Sequence, residues 1–298
     1  GWSADVLDLR LSSLGELPRI LHLAALKKPE VVGFSALSHD LSIVEMTARF
    51  LRAFLPDALF IVGGPLATSS PGELLDRAPV DLVVGGEGEL ALDRILAAVE
   101  AGGDVRGIPG VSHRDGDHIV TNPPAAFLED LSRLPDIPWH KVDLARFRRI
   151  KSMTGHKQRY AAVFASRGCS YRCTYCHNIF GKKVRRRPVD HVMAELHRLR
   201  DEFSIKNIHF VDDCFNFHRG WSLEILRRVA RELPDVRVAF PCGLRADLLT
   251  DEYLQALVDA RCYHLAVAIE SGSPRIQRLM KKNLDLDRAM TMVRRARE

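Results

Sequence analysis

The sequence predicts an α/β protein made of two successive parallel-sheet regions. Two observations predict it. Short apolar runs rich in Val, Ile, Leu and Phe alternate with longer stretches of helical periodicity through both halves, and the runs end in glycines or polar residues. Runs that are apolar at nearly every position suit strands covered by helices on both faces. The 298 residues are enough for about two domains. A hydrophobic share of 46% and a charged share of 27% are those of an ordinary soluble globular protein. A net charge of +5 is too small to imply nucleic acid.

The elements follow in order. Val6 to Leu9 reads as a short strand, and Leu17 to Lys28 as a helix. Val31 to Ser35 reads as a buried strand, followed by a helix over Ile43 to Phe54. Ala58 to Val62 is the next strand and ends in Gly63-Gly64-Pro65. A helix near Pro71 to Arg77 leads to a strand over Asp81 to Val84, then Gly85-Gly86-Glu87-Gly88-Glu89 and a helix over Leu90 to Glu100. Asp115-Gly116 reads as a hairpin turn between Val111–His113 and His118–Val120. Pro123, Pro124, Pro135 and Pro138 mark an extended linker. The predicted division is 1–122 for the first domain, 123–155 for the linker and 156–298 for the second domain.

Beyond the linker four strand–helix repeats are expected. The strands are Tyr160 to Ala165, Asn207 to Val211, Val236 to Phe240 and His264 to Ile269. The helices are Val189 to Asp201, Ser222 to Leu233 and Asp251 to Ala260, with two more over Pro274 to Met280 and Leu286 to Arg297. In parallel α/β folds ligands sit at the carboxyl ends of the strands. Those ends carry Ser35-Ala36-Leu37, Gly63-Gly64 and Gly85-Gly86 in the first half. In the second half they carry a cysteine loop, Asp212-Asp213, Arg245 and Glu270-Ser271-Gly272-Ser273.

The cysteine loop reads Ser166-Arg-Gly-Cys169-Ser-Tyr-Arg-Cys173-Thr-Tyr-Cys176-His177. Thiolates are the usual ligands of iron–sulfur clusters. A cubane has four irons and this loop offers three thiols, which leaves one iron open. Other readings exist. Cys173 to His177 matches a c-type haem attachment site, but that leaves Cys169 unexplained and needs an export signal. Zinc would want a fourth ligand at suitable spacing. A thioredoxin-like pair would use two cysteines. Six cysteines, three in one loop, do not make a disulfide framework, so a reducing cytoplasm is expected. No apolar run has the roughly 18 residues of a membrane span. The chain opens on Gly1 rather than Met, so it is expected to be a fragment or a processed form.

On Cys169, Cys173 and Cys176 in their Ser-Arg-Gly-Cys context, with Asp212-Asp213, Arg245 and Glu270-Ser-Gly-Ser273, the second half resembles the radical S-adenosylmethionine (radical SAM) enzymes. The first half resembles cobalamin-binding domains, which often carry a Ser-x-Leu element, here Ser35-Ala36-Leu37, and a Gly-Gly pair, here Gly63-Gly64. Together the chain is similar to the B12-binding subgroup of radical SAM enzymes. That resemblance implies a doubly wound, Rossmann-like cobalamin domain with its first strand missing. It implies next a partial (βα) TIM-type barrel, ending after about four of six units. No Asp-x-His-x-x-Gly cobalt-ligand motif is present.

The resemblance also implies site residues. Cys169, Cys173 and Cys176 would hold a 4Fe-4S cluster. Tyr175, Asp212, Asp213, Arg245, Glu270 and Ser271 would bind SAM: Tyr175 near adenine, the Asp pair at the amino group, Arg245 at the carboxylate, Glu270 and Ser271 at the ribose. Ser35, Leu37, Gly63, Gly64 and Gly86 would line the cobalamin site. The bland alternatives are a core aromatic for Tyr175, a helix cap for the Asp pair, a surface ion pair for Arg245 and ordinary strand-end glycines. Cys214, Cys242 and Cys262 read as buried inert thiols. No catalytic residue is assigned beyond the cluster.

The expected activity is reductive cleavage of SAM to a 5′-deoxyadenosyl radical. Methyl transfer through cobalamin to an unactivated carbon or phosphorus centre would follow. The alternatives are a radical cyclase or rearrangement enzyme, or a cobalamin-binding module with a structural metal site. A methylthiotransferase would have a different leading domain with its own cysteines, and no cysteine precedes Cys169. Expected partners are a small-molecule or peptide substrate and an electron donor such as flavodoxin or ferredoxin. The basic run Lys182 to Arg187 lacks interleaved aromatics to stack bases, so nucleic acid is not expected.

Overall fold

The structure, a computed structural model, describes residues 1–13 and 15–298. The chain divides into two compact units, one of residues 12–128 and one of residues 1–11 together with 129–298.

The 12–128 unit holds α1 (Leu17–Ala25), β1 (Val31–Ser35), α2 (Leu41–Phe54), β2 (Leu59–Gly63), α3 (Pro65–Ser69), α4 (Pro71–Arg77), β3 (Leu82–Val84), α5 (Glu89–Glu100), β4 (Val111–Asp115) and β5 (His118–Thr121). Its sheet runs in chain order from β1 to β5; β1, β2 and β3 are parallel, and the β4–β5 hairpin continues the sheet antiparallel. Phe60, Ile61 and Val62 are all buried, as a strand with both faces covered requires. In α2 the buried residues are Val44, Thr47, Ala48 and Leu51, the i, i+3, i+4, i+7 stripe of a helix lying on a core. Arg52 ties the strand entrances together. Its guanidinium lies 3.9 Å over the Phe60 ring and donates to Asp81 at 2.7 Å and to the carbonyls of Ala58 and Pro79 at 2.7 and 3.2 Å. Asp81 in turn accepts from the Phe60 N–H at 2.7 Å.

The other unit holds β6 (Ala161–Val163), β7 (Ser166–Arg167), β8 (Arg185–Arg186), α6 (Val189–Asp201), β9 (Asn207–Phe210), α7 (Arg219–Glu232), β10 (Arg237–Leu244), α8 (Asp251–Asp259), β11 (His264–Val267), α9 (Pro274–Leu279) and α10 (Leu286–Arg295). Strands β6, β9, β10 and β11 lie side by side in chain order, all parallel, with α6, α7 and α8 as crossovers. This unreversed order is that of a βα barrel wall. The core packs Val192, Met193, Leu196 and Leu199 of α6 and Ile225, Leu226 and Val229 of α7 against Ile208, Phe210, Val238 and Phe240.

Two expectations need correction. Val6 to Leu9 is not a strand; it pairs with nothing in either sheet, and a single 3-10 turn covers Leu9–Leu11. The segment lies along the second unit, where Arg146 donates to the Leu11 carbonyl at 2.6 Å and Lys141 to the Ala4 carbonyl at 2.6 Å. The proline-marked stretch is also more than a tether. Trp139, Leu144 and Phe147 are buried in that unit's core, and the Trp139 indole donates to the buried Glu195 at 3.0 Å.

Candidate functional site

The cysteine loop begins two residues after β6. The short antiparallel pair β7–β8 closes its base. Between them Gly168 turns the chain at φ +88°, and a Cβ there would collide with the Lys183 carbonyl oxygen. Only glycine fits this turn. The Cys169 N–H then donates to the Gly181 carbonyl at 3.3 Å, which folds the loop back on itself. Cys169 and Cys173 are partly buried and Cys176 is exposed, and all three thiols are free. Among the described residues no three His, Cys, Asp or Glu side chains converge on a single ion position. The three thiols stand on one loop, at positions 169, 173 and 176.

Cys214 sits beside Cys169. Its hydrogen bond pulls the Cys169 pKa down to about 6, with Lys182 and the Tyr171 N–H assisting and burial opposing. The same contact, with burial, pushes the Cys214 thiol up. Burial raises Cys176, helped by neighbouring negative groups. Cys242 is exposed, not buried as its surroundings in the sequence suggest.

The two aspartates after β9 face different partners. Asp212 is buried, and its carboxylate accepts from the Ala165 N–H at 3.2 Å, from the Ser166 N–H, and from the Ser166 hydroxyl at 2.5 Å. It therefore clamps the end of β6 where the loop begins. Burial raises its pKa to about 7 against those three donors. Asp213 lies 3.3 Å from the His177 imidazole, one residue past the last loop cysteine. Burial raises its pKa and His177 opposes the rise.

Arg245, at the end of β10, has its guanidinium occupied within the chain. It pairs with Asp247 at 2.8 Å, donates to the carbonyls of Lys282 and Asn283 at 3.0 Å each, and stacks 3.8 Å over Tyr171. Its backbone is fixed by a reciprocal pair with the buried Asn216 amide, at 3.1 and 2.9 Å.

At the end of β11 Glu270 adopts φ +64°, a conformation that costs a non-glycine residue about 1–2 kcal/mol. Its Oε1 accepts from the Tyr175 hydroxyl at 3.2 Å and from the Lys282 ammonium at 3.2 Å. Burial works against the Lys282 charge, and the hydrogen bonds to Tyr175 and Glu270 outweigh it, so its pKa is raised. Ser271 accepts from the Ser273 N–H at 3.1 Å, and the buried Gln277 amide donates to the carbonyls of Ile269 and Ser271 at 2.7 Å. The structure thus joins the cysteine loop to β11 through Tyr175 and Glu270, and to β9 through His177 and Asp213. Sequence reasoning missed Lys282, Asn216 and Gln277. None stands in a motif, and Lys281-Lys282-Asn283 looks like the polar end of a helix.

In the 12–128 unit β1, β2 and β3 are parallel, so their carboxyl ends lie together at one end of the sheet. Ser35 is paired with Gly63. Gly64 turns at φ +91°, and a Cβ there would lie 3.0 Å from the Ala36 carbonyl and 3.2 Å from the Ser35 hydroxyl. Gly86, at φ +78°, has open space where its Cβ would stand, and its N–H donates to the Thr68 hydroxyl at 2.9 Å. Leu37 is exposed, which suits a surface that a large apolar-faced ligand covers. The exposed Leu37 and the uncrowded Gly86 leave room at these strand ends for a large ring such as corrin.

Comparison with known proteins agrees with both halves. The family model for the radical SAM superfamily matches residues 163–298, and that for the B12 binding domain matches residues 1–96. The second half of the chain thus matches the radical SAM superfamily and the first half the B12 binding domain. An uncharacterized methyltransferase of Pyrococcus horikoshii is 27% identical over 91% of this chain and 58% of its own length. The cytidylyl-2-hydroxyethylphosphonate methyltransferase of Streptomyces wedmorensis is 28% identical over 90% of this chain and 55% of its own length. The chain thus spans little more than half of these relatives. Among solved structures, the radical SAM methyltransferase TsrM from Kitasatospora setae superposes with a TM-score of 0.82 at 22% identity, over all of this chain and 60% of that one, which shows a shared fold.

Proposed function

We propose that this chain is the cobalamin- and SAM-handling part of a radical methyltransferase acting on an unactivated carbon or phosphorus centre of a small molecule or peptide. The observation that carries the reading is the glycine-turned loop with three free thiols, set at the carboxyl ends of four parallel strands and linked to Glu270 through Tyr175. Cys169, Cys173 and Cys176 would hold a 4Fe-4S cluster, and Ser35, Leu37, Gly63, Gly64 and Gly86 the cobalamin. When bound, these groups supply one-electron chemistry on SAM and a carrier for its methyl group. The protein residues orient and shield. Glu270 and Ser271 would receive the ribose, with Tyr175 beside the adenine. Asp213, more open than Asp212, would face the methionine ammonium. Asp212 and Arg245 would act from behind by fixing the strand ends. An electron donor of the flavodoxin or ferredoxin type and a cytoplasmic setting complete the proposal.

The basic run after the loop fits this reading better than nucleic-acid binding. Arg185 is buried and donates to the Phe180 carbonyl at 2.8 Å, Arg187 pairs with the buried Glu195 at 2.5 Å, and Lys183 pairs with Glu129 at 2.5 Å. Among the described residues no helix is long and apolar enough to cross a membrane.

The test is anaerobic reconstitution with iron and sulfide, then incubation with hydroxocobalamin. About four irons per chain are expected, lost on Cys169→Ala, Cys173→Ala or Cys176→Ala. Stoichiometric cobalamin should be retained, and Gly64→Val should abolish that retention while leaving the iron in place. Iron without cobalamin would remove the methyl-carrier mechanism. No iron would sink the whole reading.

A further inference from the structure

Residues 280–283 form a strap across the ends of the second unit's strands. The Thr174 N–H donates to the Met280 carbonyl at 2.9 Å, so the strap holds the cysteine loop. The carbonyls of Lys282 and Asn283 accept from Arg245, so it also holds the end of β10. Lys281 and Asn283 both have left-handed backbones, at φ +53° and +49°. Neither is glycine, and such strain persists only where the surroundings impose it. Between them Lys282 points inward, with its side chain only 8% exposed.

The ammonium end has a defined set of partners. It lies 3.1 Å from the Tyr175 hydroxyl and 3.2 Å from Glu270 Oε1, and the Tyr175 hydroxyl also donates to Oε1 at 3.2 Å. Two donors from two different segments therefore hold one oxygen of the carboxylate. The other oxygen, Oε2, takes no part in these bonds, and the Glu270 side chain is 40% exposed. A carboxylate fixed by one oxygen presents the other in a set direction. That arrangement suits a ligand hydroxyl, because an anionic oxygen accepts strongly from O–H and loses no rotamer freedom on binding.

We propose that Lys282 is a positioning residue for the nucleoside ligand. With Tyr175 it fixes Glu270 by Oε1, so that Oε2 meets the ribose diol in a preset orientation. This rests on the SAM reading above, and the test separates the two.

The probes are S-adenosylhomocysteine and its 2′-deoxy and 3′-deoxy analogues, titrated calorimetrically into cluster-reconstituted full chain. In the unmodified protein, loss of the hydroxyl that meets Glu270 should weaken binding roughly ten-fold or more, the range for a hydrogen bond to a charged group. Lys282→Met should weaken S-adenosylhomocysteine about ten-fold and shrink the deoxy penalty to below about three-fold. Lys282→Arg should recover part of both. Iron content should be the same in every variant. A purely structural lysine would weaken parent and deoxy ligands equally, and that result overturns the proposal. Unchanged binding in Lys282→Met, with a loss in Glu270→Gln, overturns it too while leaving the SAM reading intact. No binding of S-adenosylhomocysteine by the unmodified protein overturns both. If Lys282→Met does not fold, Tyr175→Phe removes the other donor to Oε1 and must shrink the deoxy penalty in the same direction.

Discussion

Gly168 decides whether three thiols can share one loop. Its left-handed turn brings residue 169 back beside residue 181, and the space for a Cβ is filled by the Lys183 and Phe180 carbonyls. Gly168→Ala combines a backbone penalty of about 1–2 kcal/mol with a steric collision. We expect a loss of at least ~2 kcal/mol in urea denaturation and poor iron loading, though all three cysteines remain. Full loading in that variant would show that the loop has another way to close. The cysteines themselves were legible because ligand residues at short fixed spacing need no knowledge of the fold. Lys282 was not legible, because its role depends on two left-handed non-glycine residues and on partners 107 and 12 positions away. Asp212 illustrates the middle case. Its place at a strand end was readable, but its inward orientation depends on Ser166, which only the fold brings near.

At the scale of elements, the strands were legible where apolar runs were continuous. The short apolar run at Val6 to Leu9, broken only by Asp8, resembled that pattern without having a neighbour to pair with, and pairing is what makes a strand. Lateral order in the second sheet is also held by a partly buried polar chain invisible in sequence. Gln158 donates to the Tyr263 hydroxyl, which in turn lies 2.5 Å from His209 Nε2 on β9, while the Tyr160 ring stacks on the imidazole at 4.4 Å. Burial, and then the nearby His264, lower the His209 pKa to about 4. The unfolded chain, with an ordinary histidine near 6.5, binds a proton the folded form refuses. Stability from this group is therefore complete above about pH 6.5 and falls as pH drops toward 4, by at most about 3 kcal/mol. The urea midpoint followed against pH should show this slope, and His209→Gln should flatten it. An unchanged slope would assign the acid sensitivity to other groups.

For the whole molecule, the division of the chain is interleaved: residues 1–11 belong with 129–298, and 12–128 stand between. Composition signalled a boundary through its prolines, but no local signal marks a segment whose partners lie so far along the chain. Arg10 lies 5.7 Å over the Phe147 ring, and Leu11 and Ala4 supply carbonyls to Arg146 and Lys141. Deleting residues 1–11 should raise hydrogen exchange around Trp139 to Phe147 and leave the amides of β2 and β3 protected. Equal loss of protection in both regions would mean that the two units unfold as one.

The same interleaving sets an order of events during synthesis. The bonds that seat the first eleven residues span 135 and 137 positions. A nascent chain can complete residues 12–128 on the ribosome and fold them while residues 1–11 are still waiting for a partner not yet translated. Residues 1–11 are then among the last parts of this chain to find their place, after a closure whose entropy cost grows with loop length. Nascent chains arrested before residue 139 emerges should be trimmed by protease at residues 1–11 but resist cleavage within 12–128, and protection of the first eleven residues at that stage would contradict this order.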